Sequence, residues 1–199
     1  MGVRVSVTVL LLLLFGAGSL AQTGYFPPGA LTADSRNEEF LSSWYTQELN
    51  ALQEPSLWAL SKTQKERSYR FLWLRTFHHP VAIRIDVQAD GSARLTTKMT
   101  NGTGGFKPGN LVQNDTSTLT REQAELFLRK IEEHKFWKLE AVDKSNGGMD
   151  GAEWIIEGVK DGSYHIVNRW SPEEGPIRAI GLFMLQNIAT LRIPRNETY

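Results

Sequence analysis

Two glutamates, a histidine and an arginine (Glu153, Glu157, His165 and Arg169) fall within seventeen positions of the stretch MDGAEWIIEGVKDGSYHIVNRWSPEEG, residues 149 to 175. A carboxylate beside an imidazole raises the imidazole pKa and makes an acid and base pair, and Glu153, Glu157 and His165 could together offer ligands to a divalent ion. The stretch reads as a hairpin around Asp161-Gly162. A two-residue turn there sets Trp154 opposite Arg169 and Glu157 opposite Ile166, which leaves neither face clean. A three-residue Lys160-Asp161-Gly162 loop sets Glu157 opposite His165 and Glu153 opposite Arg169, and gathers Trp154, Ile156, Tyr164 and Ile166 on the other face. Opposite charges then meet across the strands, so this second register is the expected one. It explains the crowding as two ion pairs on a solvated sheet face, a reading preferred over chemistry because no second histidine lies near in sequence to complete a metal site.

The remaining candidates for metal are His78 and His79, joined by His165 if the two hairpins pack side by side. Adjacent histidines in a strand point to opposite faces, so they chelate only if a turn bends them together; Pro80 marks such a bend, and a plain turn is the preferred reading. The Gly-rich GTGGFKPGN, residues 102 to 110, lacks the G-K-[ST] ending of a phosphate loop and enters no helix. It reads as an exposed surface loop, with a lid over the Glu157 and His165 pair as the alternative. No G-x-S-x-G elbow is present and no nucleophile is activated by spacing. No cofactor is expected. Most of the six tryptophans fall on apolar faces, with Trp58 and Trp137 as candidates for an exposed surface.

The elements that must position these residues follow from periodicity. Ser35-Arg36-Asn37-Glu38 has the form of a capping box and opens a helix with Phe40, Leu41, Trp44, Tyr45, Leu49 and Leu52 at helical spacing, ended by Glu54-Pro55. A short helical piece around 57 to 60 follows. SYRFLWLRTFHHPVAIRIDVQADGSARLTTKMT changes the period to 2 and predicts a meander, in which a three-residue Ala89-Asp90-Gly91 loop pairs Ile85 with Leu95. Residues 100 to 119 carry no period and read mostly as a long loop, with room for a short strand around Leu111. Thr120 to Gln123 starts a helix with Ala124, Phe127, Leu128 and Ile131 on one stripe, and PIRAIGLFMLQNIATL predicts a closing helix buried against the sheet.

The amino-terminal MGVRVSVTVLLLLLFGAGSLAQ has the charged start, apolar run and small residues of a signal peptide over 1 to 21, so export to the periplasm or outside the cell is expected. A flexible leader over 22 to 34 and one domain over 35 to 199 follow, with no membrane span after cleavage. The chain has no cysteine, and export without disulfides leans toward a bacterial envelope. Acidic and basic residues balance at 22 each, with no basic stripe, which excludes electrostatic capture of nucleic acid. Three N-x-[ST] sequons, at Asn101, Asn114 and Asn196, carry little weight.

The strings RTFHHPVAIRIDVQADG, FWKL, GGMDGAEWIIEGVKDGSYHIVNRWSPEEG and GLFMLQNIA resemble a group of uncharacterised exported bacterial proteins, a domain of unknown function. The resemblance covers most of the chain from about Tyr69 onward and implies one exported bacterial domain, with no activity or catalytic residue to transfer. The expected fold is α+β: an antiparallel sheet of about five strands, a meander plus a hairpin, with helices mainly on one face. The expected function is a non-enzymatic binding or interaction protein of the envelope, whose partner is an envelope protein or small ligand. The alternative is a metal-assisted or acid/base hydrolase-like enzyme centred on Glu157 and His165.

Overall fold

In the computed structural model β1 (Arg67–Arg75) runs up the middle of the sheet, and the other strands are laid down on its two sides. The structure describes residues 24–32, 34–63, 66–142, 148–189, 191, 193 and 197–199. The signal peptide expected over 1–21 and the sequon at Asn196 lie outside them. On one side of β1 come β2 (Val81–Val87), β3 (Ala93–Thr100) and β4 (Leu111–Leu119); on the other come β5 (Ala152–Lys160) and β6 (Ser163–Trp170). The order is β4-β3-β2-β1-β5-β6, with every pairing antiparallel. The α+β fold class holds with six strands rather than about five. The extra strand is β4, LVQNDTSTL, which shows no alternation because eight of its nine residues are at least partly exposed, so neither face had to be apolar.

Helices α1 (Ser35–Ala51) and α2 (Leu57–Thr63) cover one face, and α3 (Arg121–Glu133) and α4 (Pro176–Phe183) cover the other, so helices are not confined mainly to one face. The central strands explain why: seven consecutive residues of β1 after Ser68 and eight of β5 are buried, which demands a cover on both sides. Tyr69, Phe71, Trp73, Ile83, Ile85, Trp154 and Ile156 form the core under α3 and α4, whereas Leu72, Leu74, Ala82, Ile155 and Ile166 meet Tyr45, Leu49 and Leu52 of α1. Residues 24–32, read from sequence as a leader, pack on the second core, with Tyr25, Phe26 and Leu31 buried. No helix among the described residues is long and apolar enough to cross a membrane.

Local signals account for most element ends. Thr120 caps α3, and Gln123 returns the bond by accepting from the Thr120 amide at 2.9 Å, a complete capping box. At α1 the cap is Asp34 rather than Ser35. Glu38 does not close a box; its carboxylate collects the amides of Gly29, Leu31 and Thr32 and straps the preceding segment to the helix. The first hairpin has the expected register, Ile85 opposite Leu95, with Gly91 in the left-handed conformation. In α4, a Cβ on Gly181 would come within 2.7 Å of the Trp154 ring, so this helix lies directly on the sheet.

Candidate functional site

The second hairpin corrects the expected register. Lys160 pairs with Ser163 across a two-residue Asp161-Gly162 turn, both residues having positive φ (52° and 79°). Asp-Gly is well suited to such a turn. Glu157 therefore faces Ile166, Glu153 faces Trp170, and His165 faces Gly158. Clean faces were the wrong criterion, because β5 is buried on both sides. Glu157 lies on the α1 side of the sheet and His165 on the α3 side, packed on the rings of Phe136 and Trp137 at 5.1 and 6.0 Å. Neither the expected Glu157 and His165 pair nor the Glu153 and Arg169 pair forms. Arg169 instead reaches the Glu140 carbonyl at 2.8 Å. Burial pulls the His165 imidazole below its ordinary value, and its bonds to the Leu139 and Phe136 carbonyls offset this in part.

Glu157 is occupied elsewhere. It is fully buried and accepts from Nε of Arg70 at 2.8 Å and from the Tyr164 hydroxyl at 2.9 Å. Arg70 is itself fully buried; burial alone would lower its pKa, and the Glu157 and Glu54 carboxylates override that and hold it above its ordinary value. Glu54, in the corner between α1 and α2, also takes Arg84 at 2.9 Å and Lys98 at 2.9 Å. Arg84 continues to Asp86, which takes Arg94 at 3.0 Å and the Ser68 hydroxyl at 2.8 Å. One ion-pair network thus runs from β5 across β1 and β2 to β3, beneath the α1–α2 corner. Every carboxylate in it is matched, which suits a structural tie better than an acid or base.

Two carboxylates on the same side are less well matched. Glu153 is buried against Tyr45 and Asn168; burial raises its pKa, and hydrogen bonds from those two side chains oppose the rise. Glu48 is fully buried on α1, neither of its oxygens receives a hydrogen bond of good geometry, and burial pushes it up to about 8 against a smaller opposing pull from the Trp44 indole.

The histidine candidates are dispersed. His78 Nδ1 lies 2.7 Å from the Tyr199 hydroxyl, and His79 Nδ1 lies 2.7 Å from the Gly102 carbonyl, both at the β1–β2 turn. His165 is level with Tyr69, through Gly158, near the other end of β1, some 20 Å away at about 3.3 Å per residue. Among the described residues no three His, Asp or Glu side chains are grouped to hold a metal.

The Gly-rich loop, by contrast, is tightly built. Its amides at Gly102 and Thr103 bond the carbonyls of Pro108 and Lys107, and Gly104 donates to the carbonyls of Arg75 and His78 at 3.0 Å each. A Cβ on Gly104 would lie 2.8 Å from the Arg75 backbone, so only glycine allows the loop to seat on the β1–β2 turn. The Trp44 indole of α1 donates to the Gly104 carbonyl at 2.9 Å. The loop does not cover Glu157 and His165; it forms one wall of a crevice of about 250 Å³ whose other wall is α1. Phe40, Trp44 and Phe106 line the crevice, with Ser43 and Gln47 beside them. Phe40 and Phe106 are 64% and 65% exposed, and Phe77, 6.4 Å from Phe106, is 57% exposed. Two exposed phenylalanines beside one indole, with a third against Phe106, are an apolar patch that folding does not require. Sequence reasoning placed Phe40 and Trp44 on the buried stripe of α1 and passed over Phe77 and Phe106. The available signal was a lone aromatic inside each of two polar turns. No protein-family model matches the chain, and no curated protein matches it.

Proposed function

We propose that the protein is a non-enzymatic binding domain of the bacterial cell envelope, which takes a ligand or partner side chain in the crevice between α1 and the 101–110 loop. The observation that carries this reading is the exposed aromatic cluster on a wall held rigid by glycine contacts. The walls offer ring faces, while the Ser43 hydroxyl and Gln47 amide offer hydrogen bonds. That combination suits a small ligand with a flat apolar face and polar edges. An export signal and the resemblance to exported bacterial proteins support the envelope as the setting. An enzyme centred on Glu157 and His165 would need both groups on one side of the sheet, and they lie on opposite sides.

A thermal-shift screen against envelope saccharides, short peptides and divalent metals tests the proposal, repeated on Phe106→Ser and His165→Ala. Phe106 is exposed, so its replacement should leave the melting temperature within about 2 °C. A ligand-induced shift abolished by Phe106→Ser and kept by His165→Ala is the expected outcome. The reverse pattern would move the site to His165 and end the crevice reading.

A further inference from the structure

The outer strand β4 poses a separate question. It is nine residues long, is paired on one side only, to β3, and stands in water on both faces over most of its length; only Leu119 is buried. Among the described residues no backbone hydrogen bond reaches its outer edge from another element. Edge strands of this length are ordinarily guarded by lysine, proline or a covering segment. Here the strand has no lysine, arginine or proline, and its one charged residue is Asp115. The opposite edge is treated differently: residues 139–142 run along part of β6, with the Asn168 amide bonded to the Ala141 carbonyl at 3.1 Å.

We propose that β4 is a homodimer interface, at which two copies pair their β4 strands antiparallel about a two-fold axis at Asn114 and join their sheets into one. Facing side chains must lie on one face of the joined sheet, so only registers that set a residue opposite its own copy are allowed. An axis at Asp115 would set two carboxylates face to face, and an axis at Gln113 would set Leu111 against Asp115. An axis at Thr116 leaves Val112, which is 56% exposed, beyond the pairing. The axis at Asn114 places Asp115 opposite the Gln113 amide, a group it already accepts from within its own strand at 2.6 Å. It also covers Val112 with the methyl of Thr116. A two-fold pairing uses the one free edge of each β4, so association through β4 stops at two copies and does not grow into a filament.

Sedimentation velocity of the purified protein over a range of micromolar concentrations tests this. A reversible monomer–dimer equilibrium is expected. Asn114→Lys sets two ammonium groups at the axis and should weaken the dimer roughly tenfold or more. Gln113→Lys puts an ammonium opposite Asp115 of the other copy and should tighten it. Circular dichroism and melting temperature establish that each exposed substitution leaves the fold intact. A protein that stays monomeric throughout, a dimer indifferent to Asn114→Lys, or open-ended assembly would each overturn the proposal.

Discussion

At the scale of single residues, the clearest physical consequence concerns Glu48. A carboxyl held at about 8 in the folded protein and near 4.3 when unfolded keeps its proton on folding, so the folded state binds more protons than the unfolded state between those limits. Stability from this group is therefore complete below the unfolded pKa and is lost as pH rises toward 8. Glu153, also raised by burial, acts in the same direction. His165, lowered by burial, acts in the opposite one: it favours the folded state above its unfolded pKa and ceases to do so as pH falls through its folded value. Glu48→Gln should remove the alkaline loss. Urea midpoints measured from pH 5 to pH 9 should show the variant gaining on the natural protein as pH rises, by up to about 4 kcal/mol at the alkaline end. Parallel curves for the two proteins would mean that Glu48 is not held protonated.

At the scale of elements, the glycine contacts of the 101–110 loop make a sharper test than its composition. Gly104→Ala drives a Cβ into the backbone of Arg75, and should cost about 1–3 kcal/mol in thermal unfolding while also loosening the wall that Trp44 grips. The elements also show what was legible beforehand. Helix α3 with its cap, the strands of the meander, and the Ile85 and Leu95 register could all be read, because α3 has one wet face and a cap, and β2 alternates apolar with charged residues up to a local turn signal. The β5–β6 register could not be read from face alternation, since β5 is buried on both sides and periodicity carries no information there. The turn residues Asp161-Gly162 held the answer that the charge pattern obscured. β4 was lost for the opposite reason: exposed on both faces, it had no apolar period at all. The partners of Arg70 lie 16 residues before it and 87 after it, and no local pattern reports a bond of that span. What could be read was an arginine set inside the apolar run YRFLWL, and a buried arginine requires a carboxylate.

At the scale of the whole molecule, the Arg70 network ties the α1–α2 corner to four of the six strands. Removing its centre strands Glu157 and part of Glu54 in a dry environment. Arg70→Met should therefore cost about 3–5 kcal/mol in chemical denaturation, whereas Arg70→Met combined with Glu157→Leu should recover a substantial part of that loss. Failure of the double variant to recover would mean that the network is held by its other members. The seam between β1 and β5 carries a different implication. Its paired residues, Ser68 with Val159 through Arg75 with Ala152, are separated by roughly 80 residues of chain, so the meander can assemble from near neighbours while the seam must wait for a long loop to close. Until then the apolar edge of β1, with Phe71, Leu72 and Trp73, stands open. The interval between the making of the meander and the arrival of β5 is thus when the chain is most exposed to aggregation, and a chaperone would have its greatest effect there.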